Sequence, residues 1–351
     1  MRNMKRRTKS KPATEQRTSF QLSSPAKTGD PGVWIPAYAG MTNKCMPAIQ
    51  QLQKKHSQFP ILDFDLLLAH ALHQPREFLY TYPNHRLSLR TYSLLLYYVW
   101  QYKRGFSVAA ITHHKEFYGL DFYVNKHVLI PRPETELMVE EAVKEIKKTI
   151  RQPADQKIIL IDVGTGSGCI PIAIATGIRK SGPALPAGRL SGYLDQIIAT
   201  DISRSALRVA RKNARTQNVS IKFLHGNLLE PFIKQFNNLT IEQSSNRAII
   251  ITANLPYLTE EQFETEPSIQ KEPRSALVAK KQGLALYELL LHQIQSLLQA
   301  TSYQLQAFLE IDPSQSPAIT KLINQILPQA SVEIKTDLAG RDRLVKIAMI
   351  N

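Results

Sequence analysis

Ile158-Ile-Leu-Ile-Asp-Val-Gly-Thr-Gly-Ser-Gly168 is the stretch on which the fold turns. Six residues, four of them isoleucine or leucine and one valine, form an apolar run of strand length. It ends in glycines at 164, 166 and 168, and helix-forming residues follow. Glycines at such a turn let the backbone double back and approach a ligand closely, and the helix start beyond them offers free N–H groups. A Gly-rich turn alone also suits a dinucleotide, whose usual spacing is Gly-x-Gly-x-x-Gly. Here the spacing is Gly-x-Gly-x-Gly with Asp162 two residues ahead, which suits S-adenosyl-L-methionine better. A dinucleotide site and a purely structural turn remain the alternatives at this point.

Further apolar runs at 197–200, 221–224, 248–253 and 308–311 read as buried parallel strands with helical stretches between them. Segments 332–335 and 344–349 flank Gly340-Arg341-Asp342, a predicted antiparallel hairpin. Five parallel strands closed by a hairpin strand predict an α/β fold of the class I S-adenosylmethionine-dependent methyltransferase type, a Rossmann-like sheet. Residues 180–195 (including Ser-Gly-Pro-Ala-Leu-Pro-Ala-Gly) read as an inserted loop.

Upstream, apolar residues recur at helical spacing from 46 to 111. Leu66, Leu67, Ala69 and His70-Ala71-Leu72 belong to this pattern, as do Leu94, Leu95, Tyr98 and Val99. Pro60, Pro75 and Pro83 divide this stretch, so a small helical domain over 46–114 is expected. Residues 117–125 alternate aromatic and polar side chains around Gly119, as a hairpin does. Ile130-Pro-Arg-Pro-Glu-Thr-Glu136 then opens a helix with Pro133 in its first turn and a buried stripe of Leu137, Val139, Ala142 and Val143. The expected order is thus helical domain 46–114, hairpin and linker 115–135, and methyltransferase domain 136–351.

The net charge of +15 is unevenly placed: residues 1–45 carry +7 and the remainder +8. This first segment shows no apolar period and reads as a disordered basic extension. Either it is a transit peptide or, on the reading preferred here, an over-extended start. Pro31-Gly-Val-Trp-Ile-Pro-Ala-Tyr-Ala-Gly-Met41 resembles a read-through bacterial intergenic repeat, which places the working start near Met41 or Met46. Cys45 and Cys169 make neither a disulfide framework nor a metal site, and no apolar run approaches the roughly 20 residues of a membrane span. A soluble cytoplasmic protein without a metal is expected. The residual basic charge would attract RNA or a ribosome-associated partner, or is simply solvated; direct nucleic-acid binding is not required.

The candidate site residues sit at strand ends. Backbone and side chains of Gly164, Thr165, Gly166, Ser167 and Gly168 form the cofactor loop. Asp201 can accept both ribose hydroxyls or cap the helix beginning near Ser203. Asn227 and Leu228 follow the third strand, where an adenine edge and face would lie, although Asn227 also suits a turn. Asn254-Leu255-Pro256-Tyr257 follows the fourth strand. An amide nitrogen is a poor nucleophile because its lone pair is delocalised into the carbonyl. Two acceptors for its N–H groups would aim that lone pair at a sulfonium methyl. The Asn254 side-chain oxygen and the Leu255 carbonyl supply them, with Pro256 restricting Leu255 and Tyr257 giving a flat wall. Asn254 therefore lies on both the cofactor and the substrate side.

Over most of 46–351 the chain resembles the peptide chain release factor glutamine methyltransferases (the HemK/PrmC family). The resemblance is carried by Lys115-Glu-Phe-Tyr-Gly119, Leu129-Ile-Pro-Arg-Pro-Glu-Thr-Glu136, 162–168, 254–257, Glu272-Pro-Arg-Ser-Ala-Leu-Val-Ala279 and Gly340-Arg-Asp-Arg343. It implies methyl transfer to the glutamine of the Gly-Gly-Gln loop in class I release factors, with the helical domain helping to dock that protein. Three positions depart from the family pattern. Leu255 replaces a proline and loosens the constraint on Asn254. Asn227 replaces an aspartate and weakens adenine binding, and His113 replaces a glycine before the hairpin, where an altered turn is expected. Alternatives are a ribosomal-protein glutamine or an adenine-N6 nucleic-acid target, since an exocyclic amine poses the same geometric problem. A non-catalytic RNA- or ribosome-binding module is the reading from another class.

Overall fold

A computed structural model describes residues 46–150, 157–180, 194–238, 247–301 and 303–349. The expectations for 1–45 and for 181–193 fall outside these residues. Lys180 closes a helix and 194–195 begin a strand, so both ends of the expected 180–195 loop lie in regular elements.

Five short helices come first: α1 (Ile49–Lys55), α2 (Ile61–Leu72), α3 (Glu77–Thr81), α4 (Leu89–Lys103) and α5 (Val108–Thr112). Their apolar faces close on a core of their own that includes Leu52, Phe64, Leu67, Leu68, Leu95 and Val99. Leu66 turns outward and Leu68 inward, while Leu67, Ala69 and Ala71 are buried as expected. Ser88 and Ser107 cap α4 and α5, their hydroxyls accepting from Thr91 and Ala110 N–H.

Strands β1 (His114–Phe117) and β2 (Leu120–Tyr123) pair antiparallel around the two-residue turn Tyr118-Gly119, both at positive φ as such hairpins require. His113 has φ +61°, in the left-handed region that glycine enters most readily. The imidazole Nδ1 lies 3.2 Å from the Val124 carbonyl.

A short 3₁₀ turn (Pro133–Thr135) leads into α6 (Glu136–Ile150). Strands β3 (Lys157–Val163), β4 (Leu194–Asp201), β5 (Lys222–His225), β6 (Arg247–Ala253) and β7 (Gln304–Glu310) are parallel. Strands β8 (Ser331–Thr336) and β9 (Asp342–Met349) complete one seven-stranded sheet of order β5-β4-β3-β6-β7-β9-β8. Strand β9 is antiparallel to both its neighbours. This is the class I methyltransferase topology, with the order reversing between β3 and β6.

The strands are apolar without alternation because both faces are covered. Ile158, Leu160, Ala248 and Ile250 meet α6 and the helix α7 (Cys169–Lys180) on one side. Ile159, Ile161, Ile249 and Ile251 meet the helices Ala285–Ala300 and Ser316–Ile326 on the other. Such all-round burial is what a parallel sheet demands. At the closing hairpin, Asp337 accepts from the Arg341 and Ala339 N–H groups and from the Nε atoms of Arg341 and Arg343. Those donors, the Arg341 N–H first, hold its carboxyl down at about 2. The Arg343 carbonyl in turn receives the Ile311 N–H at 2.9 Å, which fixes the end of β7.

Candidate active site

Strands β3, β4 and β6 deliver 162–168, Asp201 and Asn254 to the same carboxyl edge, at the point of order reversal where open α/β sheets bind ligands. The Gly164 and Thr165 N–H groups both donate to the Thr200 carbonyl at 2.9 Å, locking the turn to β4. A Cβ on Gly164, at φ +72°, would stand 2.9 Å from Leu255 Cδ2, so the cofactor-side loop and the Asn254–Tyr257 loop touch there. Gly166 differs: a Cβ would meet nothing nearer than the Gly164 carbonyl at 4.0 Å, so this glycine faces open space. Thr165 and Ser167 are buried, the Ser167 carbonyl accepting from Asn213 Nδ2 at 2.9 Å. Gly168 packs on Ala210. Asp162, fully buried, accepts from the Thr252 hydroxyl at 2.7 Å, and burial pushes its carboxyl up to about 6.

Asp201 Oδ2 accepts from the Gly166 N–H at 2.9 Å and Oδ1 from the Ser203 N–H at 2.7 Å. Burial raises this carboxyl, and those two N–H groups pull it back. The helix Arg204–Thr216 is capped by Ser203, whose hydroxyl accepts from Ala206; Asp201 orients the residue before that helix rather than capping it. After β5, the Asn227 carbonyl accepts from Glu230 at 3.0 Å and starts the next helix. Leu228 sits at φ +50° with its side chain 7% exposed in the sheet core, leaving only an edge for a ligand.

Asn254 Nδ2 donates to the Thr135 hydroxyl at 3.0 Å, across 119 residues of chain. Thr135, 2% exposed, belongs to Ile130–Glu136, and that stretch is anchored at every turn. Glu272 takes the Ile130 N–H at 2.9 Å and the Arg132 guanidinium at 2.5 Å, while Glu136 accepts from the Tyr118 N–H. The two stretches 129–136 and 272–279 are therefore one structural unit.

Leu255 is buried, and its N–H, a group proline would lack, donates to the Tyr287 hydroxyl at 3.4 Å. Packing and this bond hold the residue that Pro256 alone was expected to restrain. The Tyr287 hydroxyl itself donates to the Glu310 carbonyl. Tyr257 donates its hydroxyl to Glu310 Oε1 at 3.2 Å, and its carbonyl accepts from Gln315 Nε2 at 2.9 Å. Burial pushes Glu310 up to about 7, against the hydroxyls of Thr135 and Tyr257 that lower it. A cavity of about 210 Å³, lined by Asn254–Tyr257 with Leu129, Arg132 and Leu277, opens beside these groups.

Sequence reasoning singled out 164–168, 201 and 254–257, which the fold gathers on one edge. Thr135 and Glu272 lie in stretches that carry the family resemblance but had no assigned role, and Tyr287, Glu310 and Gln315 were not singled out. Glu310 left one signal, a carboxylate ending an apolar strand at the ligand edge.

A family profile described as the PrmC N-terminal domain matches residues 46–112, the five-helix region. The release factor glutamine methyltransferase of Enterococcus faecalis is 36% identical over 231 residues, 65% of this chain and 71% of its own. The chain belongs to the release factor glutamine methyltransferase family. The family member of Bacillus subtilis is 33% identical over 246 residues, covering 70% of this chain and 76% of the relative. That of Coxiella burnetii is 31% identical over 290 residues, covering 82% and 92%. The chain is thus a methyltransferase, and the five helices preceding its sheet are a family feature. Among the described residues, no helix is long and apolar enough to cross a membrane.

Proposed function

We propose that the protein transfers the methyl group of S-adenosyl-L-methionine to the side-chain amide nitrogen of the glutamine in the Gly-Gly-Gln loop of class I peptide chain release factors. The names of the relatives support the acceptor. The glycine loop with its open side at Gly166, backed by the Asp201 carboxylate, fits the cofactor. Bound there, the cofactor supplies an electrophilic methyl on a sulfonium. Gly164–Gly168 hold its polar end, Asp201 its ribose, and Asn227 with the edge of Leu228 its adenine. Residues 46–114 serve docking, 115–135 link, and 136–351 carry out transfer.

One observation carries the chemistry: Asn254 gives its Nδ2 to Thr135. Its Oδ1 is then turned the other way, as an acceptor. The acceptor oxygen takes one N–H of the substrate amide, and the Leu255 carbonyl takes the second. The amide lone pair is left pointing out of the plane these two acceptors define. Tyr257, held by Glu310, bounds the planar group on one face. Incubation with methyl-labelled cofactor and, separately, a class I release factor, ribosomal proteins or nucleic acid tests the acceptor. Label on the release-factor glutamine is expected, and Asn254→Ala should lower turnover about 10²–10³-fold, as loss of one transition-state hydrogen-bonding group does. Label on ribosomal protein or nucleic acid alone would overturn the proposal.

A further inference from the structure

The helix Arg204–Thr216 carries a charge pattern that methyl transfer does not use. Its sequence, Arg-Ser-Ala-Leu-Arg-Val-Ala-Arg-Lys-Asn-Ala-Arg-Thr, contains five cations and no acid. Arg204, Arg208, Arg211, Lys212 and Arg215 stand at i, i+4, i+7, i+8 and i+11, all on one face. Ala206, Leu207, Val209, Ala210, Asn213 and Ala214 fill the opposite, buried face. Four of the five cations are exposed and Arg211 is half-buried. None pairs with a carboxylate among the described residues. By contrast, α6 and the helix Glu230–Asn238 pair their lysines internally, as Lys144–Glu141 and Lys234–Glu230.

Two of the cations are steadied on aromatic rings. Arg211 lies 5.5 Å from the Phe223 centroid and Lys212 Nζ lies 3.2 Å from that of Tyr123. The exposed Lys126 extends the positive field, because Val124 and Val128 on either side of it pack against Ala206 and Val209. At 1.5 Å per residue the stripe runs about 16 Å, with a cation at nearly every turn. A line of repeated charge suits a polymer of anions better than a single anion. Ile202 is the one large apolar side chain that 202–216 leave exposed, so the face lacks the apolar anchors of a protein interface. Arginines in a row suit phosphate oxygens.

We infer that this face binds the phosphate backbone of RNA. The choice of RNA among polyanions rests on the proposed place of the enzyme in translation; the phosphate chemistry does not. The test uses the full chain and a labelled 20-nucleotide single-stranded RNA, read by fluorescence anisotropy at several salt concentrations. One variant combines Arg204→Glu, Arg208→Glu and Arg215→Glu. A control of equal charge change combines Lys54→Glu, Lys55→Glu and Lys280→Glu, and the thermal midpoints of both establish folding.

Each single-strand phosphate contact contributes about 0.7 to the slope of log K against log salt, hence about fivefold in affinity at 0.1 M. Losing three contacts should weaken binding on the order of 10²-fold and flatten the slope by about 2. The control should change binding by less than about threefold, since Debye screening limits distant charges. Equal weakening by both variants, or no RNA binding by the wild type, overturns the inference. So does tighter binding to DNA of the same sequence. If the stripe variant binds RNA normally but loses transfer to isolated release factor, the face serves an acidic protein and the inference fails. RNA binding needs no methyl acceptor, so its outcome is separate from that of the proposed function.

Discussion

Replacing Thr135 by valine removes one hydroxyl from beneath the Asn254 amide while preserving the shape of a side chain that is 2% exposed. In the wild type, Asn254 Nδ2 has the Thr135 oxygen 3.0 Å away as its acceptor. Without it, the donor faces a methyl group, and the amide gains by turning over to seek another partner. That rotation presents Nδ2, a donor, to a substrate group that is itself a donor. Stranding a donor costs up to about 1–3 kcal/mol when buried, and Asn254 is half-buried. If that whole difference is felt in the arrangement that reacts, turnover falls roughly 5- to 150-fold. The cofactor loop is not touched, so cofactor KM should stay within about twofold. Thr135→Ser restores the hydroxyl and should recover most of the turnover, which a general packing defect would not allow. Steady-state kinetics with saturating cofactor and varied release factor separate the terms. Turnover of Thr135→Val within twofold of the wild type would refute the orientation argument, as would a Ser variant as slow as Val.

Two further outcomes follow from the same edge of the sheet. Asp201→Ala removes the acceptor of the Gly166 and Ser203 N–H groups and the ribose partner, so cofactor KM should rise by about 10- to 100-fold, from a charged hydrogen bond of roughly 1.5–3 kcal/mol. High cofactor should rescue much of the rate, and failure to do so in a saturation experiment would remove Asp201 from the binding role. Glu310, raised by burial to about 7 from an ordinary 4.5, binds its proton more tightly folded than unfolded, so its contribution is full below about pH 4.5 and is lost as pH rises through 7. The loss approaches about 3 kcal/mol. Urea unfolding at pH 5 and pH 8 should therefore show a smaller drop in Glu310→Gln than in the wild type; the drop that remains includes the contributions of Asp162, raised to about 6, and Asp201, also raised by burial. Equal drops in the two proteins would count against a Glu310 that titrates in this range.

The features legible along the chain are those that neighbouring residues enforce on one another. Apolar runs without alternation specified buried parallel strands, because helices on both sides of a parallel sheet cover both faces of its strands. Glycines at 164, 166 and 168 specified a tight turn, and all three have positive φ. The stretch from Asn254 to Tyr257 was legible for a chemical reason, since an amide nucleophile needs acceptors at a strand end. What the tertiary structure decided is which atom each polar group faces. Thr135 and Asn254 lie 119 residues apart, and Ile130 and Glu272 lie 142 apart. Nothing within either local stretch encodes their pairing. Glu310 reads as one acid at a strand end until β7, packed beside β6, buries it against Tyr257. The departure at 255 could be judged only in the fold, where Tyr287 receives the N–H that a proline would not have. Hydrogen bonding is directional and short-ranged, so its partners are set by packing geometry in three dimensions, whereas periodicity and backbone preference are set by the nearest few residues along the chain.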